Sequence, residues 1–293
     1  MIDPADPDQL SRLLRRHRIN LKHRLGQNFL IDPNLRDQVA AATGDQSDEV
    51  VEVGAGVGTL TIALADRHRR VTAVELDRTL IPALREVVGG RAGVEVVEAD
   101  ILKLDLVQRY PDGGEVVVGN IPYNLTGALI RKLLDQPPRP RRMSLVVQKE
   151  VAERWTATTG ASLATVAVQV FAEARLGMTI PAAVFTPEPR VDSALVLLEV
   201  RDKPAVNVPD MDAFFRLVEA VFQFRRKQLG GALGRIAGIG SEEAGSRLRD
   251  AGIDPERRAQ TLSLSEWEAL YLRFGKTPPG HAEGVPGLPS GGE

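Results

Sequence analysis

The chain has 293 residues and a mass of 31.8 kDa, enough for one large domain with a sizeable core and a second, smaller one. Its 37 Lys and Arg nearly balance 39 Asp and Glu, for a formal net charge of −2, and with no cysteine it has neither disulfides nor thiolate metal sites; four scattered histidines form no zinc pattern. No apolar run approaches the ~18 residues that span a bilayer, and the acidic start Met1-Ile2-Asp3-Pro4-Ala5-Asp6 is not a secretory leader, so a cytoplasmic monomer is expected.

Charge is unevenly distributed. From Gln9 to Ile31 there is no acidic residue, whereas Arg12, Arg15, Arg16, Arg18, Lys22 and Arg24 are basic, and residues 1–24 read as a basic arm. Further clusters are Arg139/Arg141/Arg142, Arg225/Arg226/Lys227 and Arg257/Arg258. Phosphate-binding surfaces are local, so a near-neutral total can hide a basic face; a solvated helix face is the alternative for each cluster.

Apolar runs then alternate with helical patterns. Strands are predicted at Glu49 to Val53, Arg70 to Glu75, Val94 to Glu98, Glu115 to Gly119, Ser144 to Gln148 and Leu195 to Val200. Helices are predicted at Leu60 to Arg67, Arg78 to Val88, Gly127 to Asp135 and, from a more ambiguous pattern, Ala161 to Phe171. Such alternation specifies parallel βαβ units and a doubly wound α/β sheet, placed here in residues 25–202. Arg201 to Pro209 reads as a linker. Helical patterns starting at Met211, Ser241 and Ser263 predict a small α-helical domain over 203–275, and the Pro- and Gly-rich residues 276–293 a disordered tail.

Polar signals fall at successive strand ends. Gly54-Ala55-Gly56-Val57-Gly58 follows the first strand, where glycines let the backbone turn sharply and approach a ligand. A nicotinamide G-x-G-x-x-G would need its third glycine at Thr59; the G-x-G-x-G found here suits S-adenosylmethionine better, and a purely structural turn is the alternative. Glu75 ends the second strand, where a carboxylate accepts hydrogen bonds from ribose hydroxyls. Asp100 follows the third and Asn120 the fourth. In an open parallel sheet, ligands lie across the carboxyl ends of the strands, so these residues are expected around one crevice.

The step Asn120-Ile121-Pro122-Tyr123 carries the most chemistry. The amine of adenine is a weak nucleophile because its lone pair is delocalised into the ring, so a site that alkylates it must accept its N–H groups. The Asn120 side-chain oxygen and the Pro122 backbone carbonyl are assigned that role, with Tyr123 stacking on a base turned out of its helix. The same step is also compatible with a strand-ending turn.

Together these motifs resemble the ribosomal RNA adenine N6,N6-dimethyltransferases. The resemblance covers residues 20 to 272 and rests on Leu25-Gly26-Gln27-Asn28-Phe29-Leu30, Val51 to Thr61, Val74-Glu75-Leu76-Asp77, Glu98-Ala99-Asp100, Gly119 to Asn124, Gln148 to Ala152, Phe185 to Ser193 and Phe224-Arg225-Arg226-Lys227. It implies a Rossmann-like class I methyltransferase sheet and an S-adenosylmethionine site lined by Asn28, Leu30, Gly54, Gly56, Glu75, Asp100 and Asn120. It also implies that the substrate is two adjacent adenines near the 3′ end of small-subunit ribosomal RNA, met in an immature 30S particle. Phe185, before Thr186-Pro187-Glu188-Pro189, is read as covering the base opposite Tyr123, with core packing as the alternative, and the basic cluster Arg225, Arg226 and Lys227 is expected to bind RNA. Direct attack of adenine N6 on the sulfonium methyl carbon needs no covalent protein intermediate.

Three departures from the family pattern stand out. Ala55 replaces a usual proline, Thr159-Gly160-Ala161-Ser162-Leu163 replaces a more typical Tyr-Gly-x-Leu, and Gly230-Gly231 after the basic run predict an early helix end. Two other functions remain open at this level: an N6-adenine methyltransferase of large-subunit RNA or of DNA, and an RNA-binding assembly or transcription factor without catalysis. Phe185 to Ser193 and Arg225-Arg226-Lys227 favour the small-subunit type, and the intact Glu75 and Asn120-Ile121-Pro122-Tyr123 favour an enzyme.

Overall fold

The computed structural model describes residues 2–21, 27–44, 49–111, 113, 115–122, 125–134 and 137–275. Two compact units emerge, one of Met1–Thr156 with Ala167–Pro204 and one of Ala157–Val166 with Ala205–Glu293. The later crossing, at Pro204, falls within the stretch read as a linker. Residues 157–166, read from sequence as part of the sheet domain, group instead with the helical unit. They are held there by a bridge between Thr159 and Ser263 and by the Gly160 N–H on the Leu262 carbonyl at 2.7 Å.

In chain order the first part of the chain forms α1 (Pro7–Arg16), β1 (Phe29–Leu30), α2 (Pro33–Ala41), β2 (Glu49–Val53), α3 (Thr59–Ala65), β3 (Arg70–Glu75), α4 (Ile81–Val88), β4 (Val94–Glu98) and α5 (Leu106–Arg109). It continues with β5 (Val116–Asn120), α6 (Thr126–Leu134), β6 (Arg142–Gln148), α7 (Lys149–Thr156), α8 (Leu163–Phe171), β7 (Ala172–Ile180), β8 (Phe185–Thr186) and β9 (Ser193–Val200). The main sheet has the order β4-β3-β2-β5-β6-β9-β7. Strands β2 to β6 are parallel and β9 and β7 antiparallel, so the sheet is mixed where the sequence pattern predicted a parallel one. Central strands covered on both faces read as runs of valine, and Val50, Val51, Val53, Val116, Val117 and Val118 are all buried.

Strand β7 had no prediction, for a physical reason. It is an edge strand with mostly exposed positions, follows α8 without a loop, and carries a register irregularity between Leu176 and Thr179 around Gly177. Order reverses between β2 and β5, where the chain first runs outward through β3 and β4 and then returns to the other side of β2. That reversal opens a crevice at the carboxyl ends of these two strands. Gly119 is required there: a Cβ at this position would stand 2.4 Å from the Val53 carbonyl oxygen, so no larger residue lets β5 lie this close to β2.

The expected N-terminal arm is corrected by the structure. Residues 7–16 form a helix capped by Asp6, whose side chain accepts the Gln9 N–H at 2.9 Å. Leu10 and Leu13 are buried in a cluster with Phe29, Val57, Ile62, Leu80, Ala83 and Val87. Each such leucine contributes about 1.5–3 kcal/mol by burial. Two anchors hidden among four arginines are easily read as a charge run.

In the second unit, α9 (Met211–Gln223), α10 (Leu229–Ala237), α11 (Ser241–Asp250) and α12 (Leu264–Phe274) follow. Gly230 and Gly231 do not end a helix as expected but lie in the first turn of α10. Their neighbour Gly234 shows what small residues do here: a Cβ on it would stand 3.0 Å from the Ile239 carbonyl, so this face lets α10 approach α11 closely.

Candidate active site

Every described residue assigned from sequence to catalysis or to the cofactor lines one crevice in the first unit: Asn28, Leu30, Gly54, Gly56, Glu75, Asp100, Asn120, Pro122 and Phe185. Tyr123, as well as Leu25, Gly26, Lys22 and Arg24, lies outside the described residues. Arg225, Arg226 and Lys227 belong to the second unit, are exposed, and form no ion pair among the described residues.

The glycine loop between β2 and α3 has all three glycines at positive φ: Gly54 at 72°, Gly56 at 60° and Gly58 at 92°. A Cβ on Gly56 would also come within 2.9 Å of the Phe29 ring. Loop and acidic strand end are tied together: the Gly56 N–H donates to one Glu75 carboxylate oxygen at 2.7 Å and the Asp77 N–H to the other at 2.7 Å. A carboxylate has about four acceptor positions, so two remain for a ligand diol. Burial and then the neighbouring Asp77 charge raise the Glu75 carboxyl above the ordinary carboxylate range, against the backbone N–H groups of Asp77, Gly56 and Leu76, which lower it.

Leu76 was missed by the sequence reading. It lines the crevice beside Glu75 with 57% of its surface exposed, an apolar face suited to a purine ring. The signal was present: a large apolar residue directly after an acidic strand end, where the chain leaves the core. At the next strand end the Asp100 side chain accepts the Leu102 N–H at 3.0 Å, which fixes the turn after β4.

Asn120 ends β5, and its side-chain nitrogen donates to the Asn28 backbone carbonyl at 2.8 Å. That bond fixes which way the amide faces. Its oxygen receives no hydrogen bond among the described residues and is an acceptor at the crevice. The Pro122 carbonyl is less available than expected: it accepts the Leu125 N–H at 2.8 Å and the Thr126 hydroxyl at 3.4 Å. The Ile121 carbonyl accepts nothing among the described residues, and its successor is a proline without an N–H. Phe185 is 3% exposed and packs in the core cluster with Leu30 and Leu195 while also lining the crevice, so covering and packing are not exclusive.

Comparison with known proteins decides the family. The pattern of the family described as ribosomal RNA adenine dimethylase matches residues 18–273. The chain belongs to that family. It is 42% identical to the ribosomal RNA small subunit methyltransferase A of Pelotomaculum thermopropionicum over 94% of this chain and 98% of that one. It is 39% identical to the protein of the same name from Geobacillus thermodenitrificans, over 92% and 96%. Among solved structures it resembles the 23S rRNA methyltransferase ErmE with a TM-score of 0.66 at 29% identity, covering 85% of this chain and 100% of that one. A dimethyladenosine transferase from Plasmodium falciparum gives 0.67 at 26% identity, covering 84% and 97%. The fold is therefore that of the Rossmann-like methyltransferases, and this adenine dimethylase family member is an enzyme of that class.

Family and fold imply S-adenosylmethionine, and the crevice fits it. Glycines at positive φ bring backbone to the ligand, Glu75 keeps acceptors for two hydroxyls, and Glu52, Glu75, Asp77 and Asp100 line the same cavity. The acidic groups other than Glu52, whose carboxyl burial keeps protonated at neutral pH, favour a cationic ligand over a pyrophosphate. Among the described residues no helix is long and apolar enough to cross a membrane.

Glu52 is more deeply buried than Glu75 or Asp77 in the same lining. It is 2% exposed and accepts the Thr61 hydroxyl at 2.6 Å; burial first, and then the Glu75 charge, push its carboxyl up to about 8. The folded protein thus binds a proton that the unfolded chain, titrating near the ordinary 4.5, has already released. Stability from this group is complete below about 4.5 and is lost as pH rises through about 8. Glu52→Gln is expected to flatten that decline, read as melting temperature against pH from 5 to 9. An unchanged slope between wild type and variant would show that Glu52 does not titrate in this range.

Proposed function

We propose that this protein transfers methyl groups from S-adenosylmethionine to the N6 amines of two adjacent adenines near the 3′ end of small-subunit ribosomal RNA, acting on an immature 30S particle in the cytoplasm. The observation that carries the reading is the Asn120 amide, held by the Asn28 carbonyl with its oxygen left as an acceptor at the crevice. Relatives named ribosomal RNA small subunit methyltransferase A, matched over nearly their whole length, support the choice of subunit.

When bound, S-adenosylmethionine supplies a methyl group already activated as a sulfonium. Glu75 holds the ribose, and the glycine loop sets the depth of the cofactor. Asn120 and one backbone carbonyl accept the two N6–H groups, which orients the amine lone pair toward the methyl carbon and concentrates it there. Ile121 is the better candidate for that carbonyl, because the Pro122 oxygen already closes a turn. Tyr123 and Phe185 sandwich the base, which excludes water from the reacting pair.

Labelled S-adenosylmethionine incubated separately with immature small subunits, large subunits and duplex DNA tests the reading. Label is expected on adenine N6 of the small subunits; label confined to large subunits or DNA overturns it. Docking is expected to involve Arg225, Arg226 and Lys227. Each lost phosphate contact lowers the slope of log affinity against log salt by roughly 0.7–0.9. Changing all three to Gln should therefore weaken small-subunit binding and flatten its salt dependence by about 2–3, with S-adenosylmethionine affinity untouched. If the slope of the triple variant matches wild type, these side chains do not touch RNA.

In the clusters at 139–142 and 257–258, three arginines are engaged within the fold, while Arg141 and Arg258 are exposed. Arg139 lies over the Phe171 ring at 4.1 Å and donates to the Leu134 carbonyl, Arg142 pairs with Glu199 at 2.6 Å, and Arg257 pairs with Glu266.

A further inference from the structure

Beside the crevice lies a groove of about 400 Å³ in the same unit, formed by α1, the turn after it, and Thr186. Pro7, Leu10, Leu14 and Ile19 are its apolar lining. Arg15, Arg18, Asn20 and the hydroxyls of Ser11 and Thr186 are its polar groups, and no carboxylate lines it.

Four observations bear on what it holds. First, the basic side chains are fixed rather than carried on a loose arm, because Leu10 and Leu13 bury α1 against α3 and α4. Second, charge is divided between two faces of the helix. Arg16 is taken up by Glu86, which His17 also contacts at 2.5 Å, whereas Arg15 and Arg18 are exposed and make no ion pair among the described residues. The Arg15 guanidinium is steadied instead by the Ser11 hydroxyl at 2.8 Å.

Third, Arg18 sits at φ 53°, the only non-glycine at positive φ among the described residues. The Ile19 N–H returns to the Leu14 carbonyl at 2.9 Å and the Arg18 N–H to the Arg15 carbonyl at 3.1 Å. This is the helix-ending pattern in which glycine is the residue the backbone favours. An arginine there costs conformational energy, and in return it carries a guanidinium to the groove.

Fourth, the groove and the crevice share a wall. Successive side chains of a strand point to opposite faces, and in β8 Phe185 lines the crevice while Thr186 lines the groove. A strand of RNA crossing this wall can leave its backbone on one side while one base enters the other.

We propose that the groove binds the phosphate–ribose backbone of the RNA strand next to the adenine in the crevice, with Arg15 and Arg18 pairing its phosphates. The proposal rests on an RNA substrate, as inferred above, but not on which RNA. A twelve-nucleotide oligoadenylate serves as probe, because backbone recognition is indifferent to sequence. For Arg15→Gln combined with Arg18→Gly, the Kd is expected to rise about tenfold at low salt, and the slope of log affinity against log salt to fall by about 1.4, the value for two phosphate contacts on a single strand. Lysine at both positions is expected to retain the slope. Arg18→Gly alone should hold or raise the melting temperature, since glycine suits the backbone there, and should still weaken oligoadenylate binding. An oligoadenylate slope equal to wild type in the double variant overturns the proposal, as does a loss of melting temperature in Arg18→Gly large enough to account for the weaker binding. Methyl incorporation into immature small subunits by the wild type is measured in parallel. Its absence overturns the function proposed above, whereas an unchanged oligoadenylate slope overturns the groove whatever the wild type methylates.

Discussion

Replacing Glu75 with alanine is expected to weaken S-adenosylmethionine binding by about 1.5–3 kcal/mol, roughly a 10- to 150-fold rise in Kd, the scale of losing hydrogen bonds to a charged group. The size follows from preorganisation. Glu75 is 8% exposed, and backbone N–H groups from Gly56 and Asp77 hold its two oxygens, so the carboxylate is in place before any ligand arrives. Removing it also leaves those two N–H groups without their acceptor and should lower the melting temperature. Glu75→Gln keeps the shape and one acceptor oxygen but sets its amide NH2 against one of the two backbone N–H groups, so it should lose part of the melting temperature and bind the cofactor between the two extremes. Because burial raises the Glu75 carboxyl, cofactor affinity should begin to fall on the acid side at a higher pH than an ordinary carboxylate would give. NADH should not bind, since Thr59 stands where the nicotinamide glycine pattern needs its third glycine. Calorimetry showing unchanged S-adenosylmethionine affinity in Glu75→Ala, or tight binding of NADH, would remove Glu75 from the cofactor site.

Strand ends were the most legible part of the sequence. Glu49–Val53, Arg70–Glu75 and Val94–Glu98 have the predicted bounds, because each is a short β-branched run closed by a residue with another task. Gly54, Glu75, Asp100 and Asn120 follow one another at those ends, and a parallel sheet brings such positions together. What escaped the sequence depends on partners far away in the chain. Strand β7 contains Glu173, Arg175 and Gly177 and is ordered by pairing with β9, which no local pattern announces. Helix α1 looked like a basic run because only its contacts with Val57, Leu80 and Val87 distinguish Leu10 and Leu13 from solvated leucines. Clusters of arginine were ambiguous for the same reason: Arg142 is spent on Glu199, Arg225 is not, and the letters are the same. Likewise, only the turn closed by Leu125 shows that the Ile121 carbonyl is freer than that of Pro122.

Asn120→Ala should separate chemistry from binding. The residue touches neither of the basic surfaces assigned to RNA, so small-subunit affinity should stay within about twofold of wild type, while methyl transfer should fall about 10²–10³-fold, the scale of removing one preorganised polar contact to a reacting group. Asn120→Asp tests the orientation of the amide. Aspartate supplies an acceptor toward the base but no donor toward the Asn28 carbonyl, 2.8 Å away in the wild type, so two oxygens would face each other and the side chain would leave its position. Its activity should therefore fall nearly as far as that of the alanine variant, although an acceptor is retained. Tyr123, assigned to stacking on the base, provides the complementary comparison. Tyr123→Phe keeps the ring and should retain most of the activity, and Tyr123→Ala should lose it. Single-turnover methylation of immature small subunits, with subunit affinity measured separately, distinguishes the cases. If Asn120→Asp worked as well as wild type, the bond to Asn28 would have no part in presenting the acceptor; if Tyr123→Phe were as inactive as Tyr123→Ala, the hydroxyl rather than the stacking face would carry the effect.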